Sequence, residues 1–355
     1  MKIFFGGDVM PGGVLPYQKD YIGKELIEYM KSFDFRVGTL EAAIGTDLPY
    51  DEVKMRNRCN IVYARNEDFH RIVDLGFDVV SLANNHVFDL GIEGLKNTIN
   101  LLKSNGIAYC GAGMNIEEAS KPAILHHNGK SVAILAYCMY GNKYLGYVEL
   151  ATDNKPGVNP LECSKVIEDI RRYKNLYDYV VIMPHWGQEY TYYPMPECIQ
   201  MAYAMIDAGA DLVVGSHTHC VQPVLKYKKK TICFSLGNFM FPDFYMYPPR
   251  PIWYPDNTVD LNSIPDVVGY PFPIDKPIRQ VWNDVSRIGK VLDVHISGSG
   301  VDVSSLFIRN STNNIIDFYR DCQQMTKRMT VYRLAIKNPI IKKLLSLYRF
   351  IRYKR

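Results

Sequence analysis

The chain has 355 residues, 41 Lys or Arg against 37 Asp or Glu, a formal charge of +4, and 47% hydrophobic residues. That balance suits a folded α/β enzyme with a substantial core, and no internal repeat or low-complexity tract interrupts it. No apolar run reaches the ~18 residues of a membrane-spanning helix, and no nucleic-acid motif accompanies the positive charge, so no nucleic-acid partner is expected.

In chain order, five β-prone segments each end in groups able to bind a first-row metal. Ile3 to Gly7 ends at Asp8, and Val37 to Leu40 ends at Glu41. Asp78 to Ala83 ends at Asn84-Asn85-His86, with Asp89 and a helix-like stretch from Gly91 following. Tyr179 to Pro184 ends at His185-Trp186-Gly187-Gln188-Glu189, and Asp211 to Ser216 ends at His217-Thr218-His219. Each has an ordinary reading alone, because Asp, Asn and Gly are favoured where a strand turns. Together they mark the carboxyl edge of an open α/β sheet, where such folds keep their sites. Carboxylate, amide and imidazole donors suit Mn, Fe or Zn, whereas the lack of any Cys-x-x-Cys argues against a structural zinc.

Helices are expected near Glu67–Leu75, Gly91–Asn105, Leu161–Tyr173 and Pro196–Asp207. Asn128-Gly129 predicts a hairpin between Ala123–Leu125 and Val132–Tyr137. From Phe239 to Ile278 nine prolines and many aromatics predict an irregular loop packed at the site mouth, with Arg250 able to meet an anion. Strands over Gly289–Ile296 and Val301–Ile308 then close a domain spanning 1–310.

Residues 311–355 read as a basic amphipathic helical tail. From Ile316 onward eleven Lys or Arg face Asp317 and Asp321. Asn338-Pro339 predicts a helix cap and first turn. Beyond it, Ile340, Ile341, Leu344, Leu345, Tyr348 and Ile351 share a face opposite Lys342, Lys343, Arg349 and Arg352. That face suits either an anionic membrane surface or docking on the domain.

The eight cysteines show no paired spacing and read as reduced thiols. Met1-Lys2 leads directly into the strand that delivers Asp8, without an apolar signal segment. The expectation is a cytoplasmic chain, with the basic tail able to rest on the inner membrane surface.

The motif series Gly7-Asp8-Val9-Met10, Leu40-Glu41, Ser81 to His86, His185 to Tyr190, Gly209 to His219 and Ser235-Leu236-Gly237-Asn238-Phe239 resembles the calcineurin-like metallophosphoesterase superfamily. It is more similar to the CapA branch, associated with poly-γ-glutamate capsules, and the resemblance covers roughly Met1 to Phe241. It implies a layered β-sandwich flanked by helices and two divalent ions bridged by Glu41. Asp8 and His219 complete one ion, Asn85, His185 and His217 the other, and His86 serves as the acid. Met10 stands where the superfamily places a histidine, and Glu41 where an aspartate is usual, so the implied first ion is weakly held or absent.

Around these ligands, Asn84, Asp89, Trp186, Glu189 and Asn238 are candidates for supporting the site or meeting substrate. Asp89 reads as the cap of the following helix, Glu189 as a group orienting a ligand histidine, and Trp186 as packing. A pair of divalent ions suits hydrolysis of a phosphoester, and the expected substrate is an anionic envelope polymer or phosphorylated intermediate. The same chemistry allows cleavage or transfer of a γ-glutamyl amide. A third reading is a binding protein of capsule assembly without turnover.

Overall fold

The structure is a computed structural model that describes residues 1–56, 60–141, 146–247, 251–269, 275–298 and 300–345. Its principal strands are Lys2–Val9 (β1), Phe35–Leu40 (β2), Val79–Ser81 (β3), Ala108–Cys110 (β4), Ala123–His127 (β5), Lys130–Cys138 (β6) and Tyr179–His185 (β7). They continue with Leu212–Val214 (β8), Val224–Tyr227 (β9), Lys230–Cys233 (β10), Asn238–Met240 (β11), Ile288–Ser297 (β12), Gly300–Asn310 (β13) and Ile316–Phe318 (β14). The helices used below are Lys24–Lys31 (α1), Glu52–Arg56 (α2), His70–Asp74 (α3), Gly91–Ser104 (α4), Cys163–Lys174 (α5), Pro196–Ala208 (α6) and Gln323–Lys337 (α7).

Two mixed sheets form the frame. One runs β14-β13-β12-β1-β2-β3-β4, with β11 also pairing β1, and the other runs β9-β10-β8-β7-β6-β5. Period-two alternation explains why the sheets stack. In β6, Val132, Ile134 and Ala136 enter the core between the sheets, while Ala133, Leu135 and Tyr137 enter the layer under α5 and α6. Residues buried on both faces give these parallel strands their continuous apolar character. Leu26 and Met30 of α1 and Leu95, Ile99 and Leu102 of α4 join the core of the first sheet. This is the layered, helix-flanked sandwich that the resemblance implies.

β1, β2 and β3 are mutually parallel, as are β7 and β8. All five candidate ligand segments therefore emerge at strand carboxyl ends. The register of β1 shifts between Phe5 and Asp8, and Asp8 comes level with Asn238 of β11. Gly7 is required there: a Cβ on it would lie 1.8 Å from the Gly237 carbonyl oxygen.

The expected hairpin is present, its turn made by Asn128 at φ 49 and Gly129 at φ 71. The Pro-rich segment departs from the expected irregular loop. Phe244–Met246, Ile252–Trp253 and Asp266–Val268 join Ile278–Val281 in a small four-stranded sheet. Its strands are two to four residues long, so the prolines fall between them. Arg250 lies outside the described residues. The sheet also extends beyond the expected domain end, since β14 pairs with β13.

In the tail, α7 docks through Met325, Met329 and Ala335, with Met325 and Met329 packed on Val221. Asn338 then caps a second helical segment, its Oδ1 accepting from the Ile340 and Ile341 amides. Residues 339–345 are helical, and Ile340 and Leu344 are 71% and 60% exposed, so these two side chains do not dock. Tyr348, Arg349, Ile351 and Arg352 lie outside the described residues.

Candidate metal centre

Backbone ties bring the strand ends together before any side chain acts. The Glu41 amide donates to the Val9 carbonyl at 2.9 Å, the Asp8 amide to Gly237 at 3.1 Å, and the Ser216 amide to Pro184 at 3.1 Å. Past β8 the chain leaves extended geometry: His217 has φ 88 and His219 φ 48. Non-glycine residues adopt this left-handed region only when their surroundings hold them there. The two imidazoles thus converge by a twisted loop, and strand alternation plays no part.

Two ligand groups share Glu41. Ligand atoms of Glu41, His185 and His217 lie within 4.8 Å of one another, as do those of Asp8, Glu41 and His219. His185 Nε2 is 3.5 Å and His219 Nε2 3.7 Å from Glu41 Oε1. Asn85 Oδ1 sits 2.8 Å from His185 Nε2, on the side of the first group. The structure thus brings together the side chains that the resemblance names, in two groups that share Glu41.

Hydrogen bonds fix how the imidazoles face this space. His219 Nδ1 donates to Asn238 Oδ1 at 2.8 Å, leaving the Nε2 lone pair toward Glu41. Asn238 is held in turn by donating Nδ2 to the Ser286 carbonyl. His185 Nδ1 lies 2.9 Å from Ser216 Oγ. A hydrogen-bonded far nitrogen is how metal-binding histidines are normally oriented.

The electrostatics suit a cation. Asp8 Oδ1 and both Glu41 oxygens are buried without a hydrogen-bond partner among the described residues. Burial pushes Asp8 up to about 7, and pushes Glu41 well above the usual carboxylate range with Asp8 adding repulsion. Burial holds His219 down at about 4 and lowers His185 well below its ordinary value, with His217 next among the causes. Neutral imidazoles beside carboxylates starved of positive charge are a donor set for a divalent ion. The residues present therefore fit a metal, and when bound it would supply Lewis acidity and lower the pKa of water.

The supporting residues divide differently from the sequence reading. Asn84 pins the turn after β3: its Nδ2 donates to Leu40 and its Oδ1 accepts from the His86 and Val87 amides. Asp89 is not the cap of α4, which begins after Leu90 without a side-chain cap. It accepts instead from His86 Nδ1 at 2.7 Å, from the Val62 amide, and from Lys54 Nζ. Glu189 does not orient a histidine; Asn238 does that, and Glu189 Oε1 stands 3.9 Å from the ligand-side Nε2 of His219. Burial raises Glu189 to about 7. Trp186 is packing, donating Nε1 to the Phe234 carbonyl and stacking on that ring. Met10 is fully buried, its sulfur accepting from the Gly12 amide at 3.2 Å.

Sequence reasoning passed over several residues here. Lys54 of α2 is 2% exposed and also donates to the Asn85 carbonyl, a lysine whose isolated position in the sequence gave no signal. Phe241 and Trp282 wall His219, at ring separations of 5.2 and 4.9 Å. Phe241 belongs to the Pro-rich segment, which does reach the site.

Residues 2–243 match the family described as bacterial capsule synthesis protein PGA_cap. The chain belongs to this family. It is 32% identical over 244 residues to the capsule biosynthesis protein CapA of Bacillus anthracis, covering 66% of this chain and 58% of that protein. It is likewise 32% identical over 243 residues to the PGA biosynthesis protein CapA of Bacillus subtilis strain 168, covering 67% and 62%. The chain thus spans about 60% of the length of these PGA_cap relatives. Among solved structures, the NAD nucleotidase of Haemophilus influenzae aligns over 100% of this chain and 60% of its own, at 11% identity and a TM-score of 0.44.

Proposed function

We propose that this PGA_cap protein is a metal-dependent phosphoester hydrolase acting on a phosphorylated intermediate of capsule or envelope polymer synthesis. The observation that supports it is Glu41 buried between two ligand groups, its oxygens without a hydrogen-bond partner among the described residues and the His185 and His219 imidazoles held below their ordinary pKa by burial. Two divalent ions of the Mn, Fe or Zn type suit the set. Glu189, Asp8 and Glu41 would furnish the side of His219, so the missing ligand at Met10 is offset by a carboxylate arriving from the β7 loop.

Within this reading each residue has a task. Asp8, Glu41, Asn85, His185, His217 and His219 hold the ions. His86 is the proton donor to the leaving oxygen: Asp89 accepts from its Nδ1 and leaves Nε2 to exchange protons. Such general acids contribute about 10²- to 10⁴-fold. Lys54 holds the Asp89 carboxylate in place through its ammonium. The exposed Ile340 and Leu344, flanked by Lys337, Lys342 and Lys343, would rest on an anionic membrane surface and bring the site to an envelope substrate.

The test is elemental analysis of the wild-type chain, His217→Ala and Glu41→Ala, with phosphate release from a phosphoester panel. Stoichiometric metal lost in both variants is expected, and a wild-type chain that neither carries nor takes up metal overturns the proposal. A γ-glutamyl amide is the second reading, favoured by the name of the Bacillus subtilis relative, a PGA biosynthesis protein. Cleavage of γ-glutamyl peptides without phosphate release would select it. Binding of either material with no turnover would instead select the non-catalytic role.

A further inference from the structure

Away from the metal ligands, a cavity of about 980 Å³ opens between α7 and the β12–β13 hairpin. That volume is at the upper end of small-molecule sites, which run to roughly 1,000 Å³. Its walls are largely apolar, with Val303, Leu306, Phe307, Phe318 and Met329 among them. Its charges are nearly all of one sign: Lys226, Lys290, Arg320, Arg333 and Lys337 line it, against Glu25, which is already paired with Arg320.

Lys290 is the decisive group. It sits on β12 opposite Phe307, is only 6% exposed, and lines the cavity. No carboxylate or hydrogen-bond acceptor for its ammonium is found among the described residues; its nearest support is the Phe307 ring, 4.5 Å from Nζ. Burial lowers its pKa; the Cys233 and Cys322 thiols offset part of this, and the Arg333 charge adds to the lowering. A buried cation without a counter-ion is costly to keep, and an anion entering the cavity would supply the missing charge. The apolar walls leave room beside it for a chain of methylenes.

We infer that this cavity is a binding site for an amphiphilic anion, with a single alkyl or acyl chain against Phe307, Phe318 and Met329 and the anionic head on Lys290 and Arg333. The head group is a phosphate or a carboxylate, since Lys serves either as a point charge. The site is separate from the proposed hydrolytic centre, because none of its lining residues is a candidate metal ligand.

Calorimetric titration of the full chain tests it, using dodecyl phosphate and dodecanoate below their micellar concentrations, with dodecanol and dodecyltrimethylammonium as controls. One molecule of at least one anion is expected to bind per chain, and the better of the two identifies the head group. Dodecanol should bind weakly and the cation not at all. Lys290→Met, which keeps the chain volume, should weaken the anion roughly tenfold or more, the loss of one charge-assisted contact. Thr330→Trp, which places an indole in the cavity from α7 and keeps the Lys290 side chain, should abolish binding. Metal content should stay unchanged in both, separating this result from the fate of the hydrolase proposal. No saturable binding of either anion, equal affinity for dodecanol and the anions, or unaltered affinity in both variants would overturn the inference.

Discussion

Two regions of this molecule carry buried charge of opposite sign. At the metal centre Asp8 and Glu41 are sealed from solvent with carboxylate oxygens that no donor satisfies. Beneath α7, Lys290 is sealed almost as well and meets no acid among the described residues. The first region surrounds its deficit with converging oxygen and imidazole lone pairs at fixed spacing, which suits a small divalent first-row ion. The second surrounds its deficit with methyl groups and rings in a long cavity, which suits a soft and extended ligand. Burial alone does not say what a site takes; the geometry of the surrounding donors does.

The comparison breaks most decisively at Glu41. Glu41→Ala should lose both ions in elemental analysis and lower any phosphoesterase activity by about 10³-fold or more, on the scale of lost transition-state charge stabilisation. Lys290→Met should leave both unchanged. If Glu41→Ala keeps one full equivalent of metal, the bridge is not shared and the two ligand groups work separately.

A second test concerns the cation already built into the metal region. Lys54→Met strands the Asp89 carboxylate in the core, and breaking a buried pair in this way costs about 3 to 5 kcal/mol. The drop should appear as an earlier denaturation midpoint in urea. Partial restoration is expected in Lys54→Met/Asp89→Asn, which neutralises the stranded group.

The third test is pH. Asp8 has an ordinary value of 3.8 and a folded value of about 7, and Glu41 is raised in the same sense. Between those values the ion-free folded protein keeps a proton that the unfolded chain has released, so its stability falls as pH rises through the window and levels off above it. Bound metal displaces that proton, so metal affinity climbs over the same window. Thermal melts of chelator-treated and Mn-loaded protein should diverge steadily from about pH 4 to 7. Parallel curves would mean that these carboxylates ionise without help.

The smallest effect lies in the tail. Truncation after Asn338 removes Ile340 and Leu344 with Lys342 and Lys343, and should weaken binding to phosphatidylserine vesicles in cosedimentation by roughly thirtyfold, since the two lysines contribute about 1 kcal/mol each near such a surface. Metal content and anion binding beneath α7 should persist. Unchanged sedimentation would confine lipid chemistry to the cavity.

Much of the metal region was legible in the sequence because strand ends are local features. Asp8, Glu41, Asn85 and His185 each follow an apolar run whose period and length announce a strand. What could not be read there depends on tertiary approach. Glu189 reads as a support until the loop after β7 places it on the ligand side of His219. Asp89 reads as a helix cap until α2 delivers Lys54 from thirty-five residues away. The cavity beneath α7 has no sequence signal, because Lys290, Phe307 and Arg333 meet only when a helix after the last strand folds back across the hairpin. The Pro-rich segment misleads for the opposite reason: its strands are too short for period-two alternation to show, and pairing with Ile278–Val281 creates them.

The contact between Gly7 and Gly237 has a consequence for the order of events as the chain is made. Asp8 is made 209 residues before His217, yet its amide is tied to Gly237 and its side chain to the His217 amide. Such distant pairings close late. Until the chain has been made as far as His185, Asp8 and Glu41 have no imidazole from β7 or β8 beside them. A nascent fragment ending before His217 therefore has the acids without the cage. Metal capture becomes a report that the amino-terminal strand and the β8 loop have found each other.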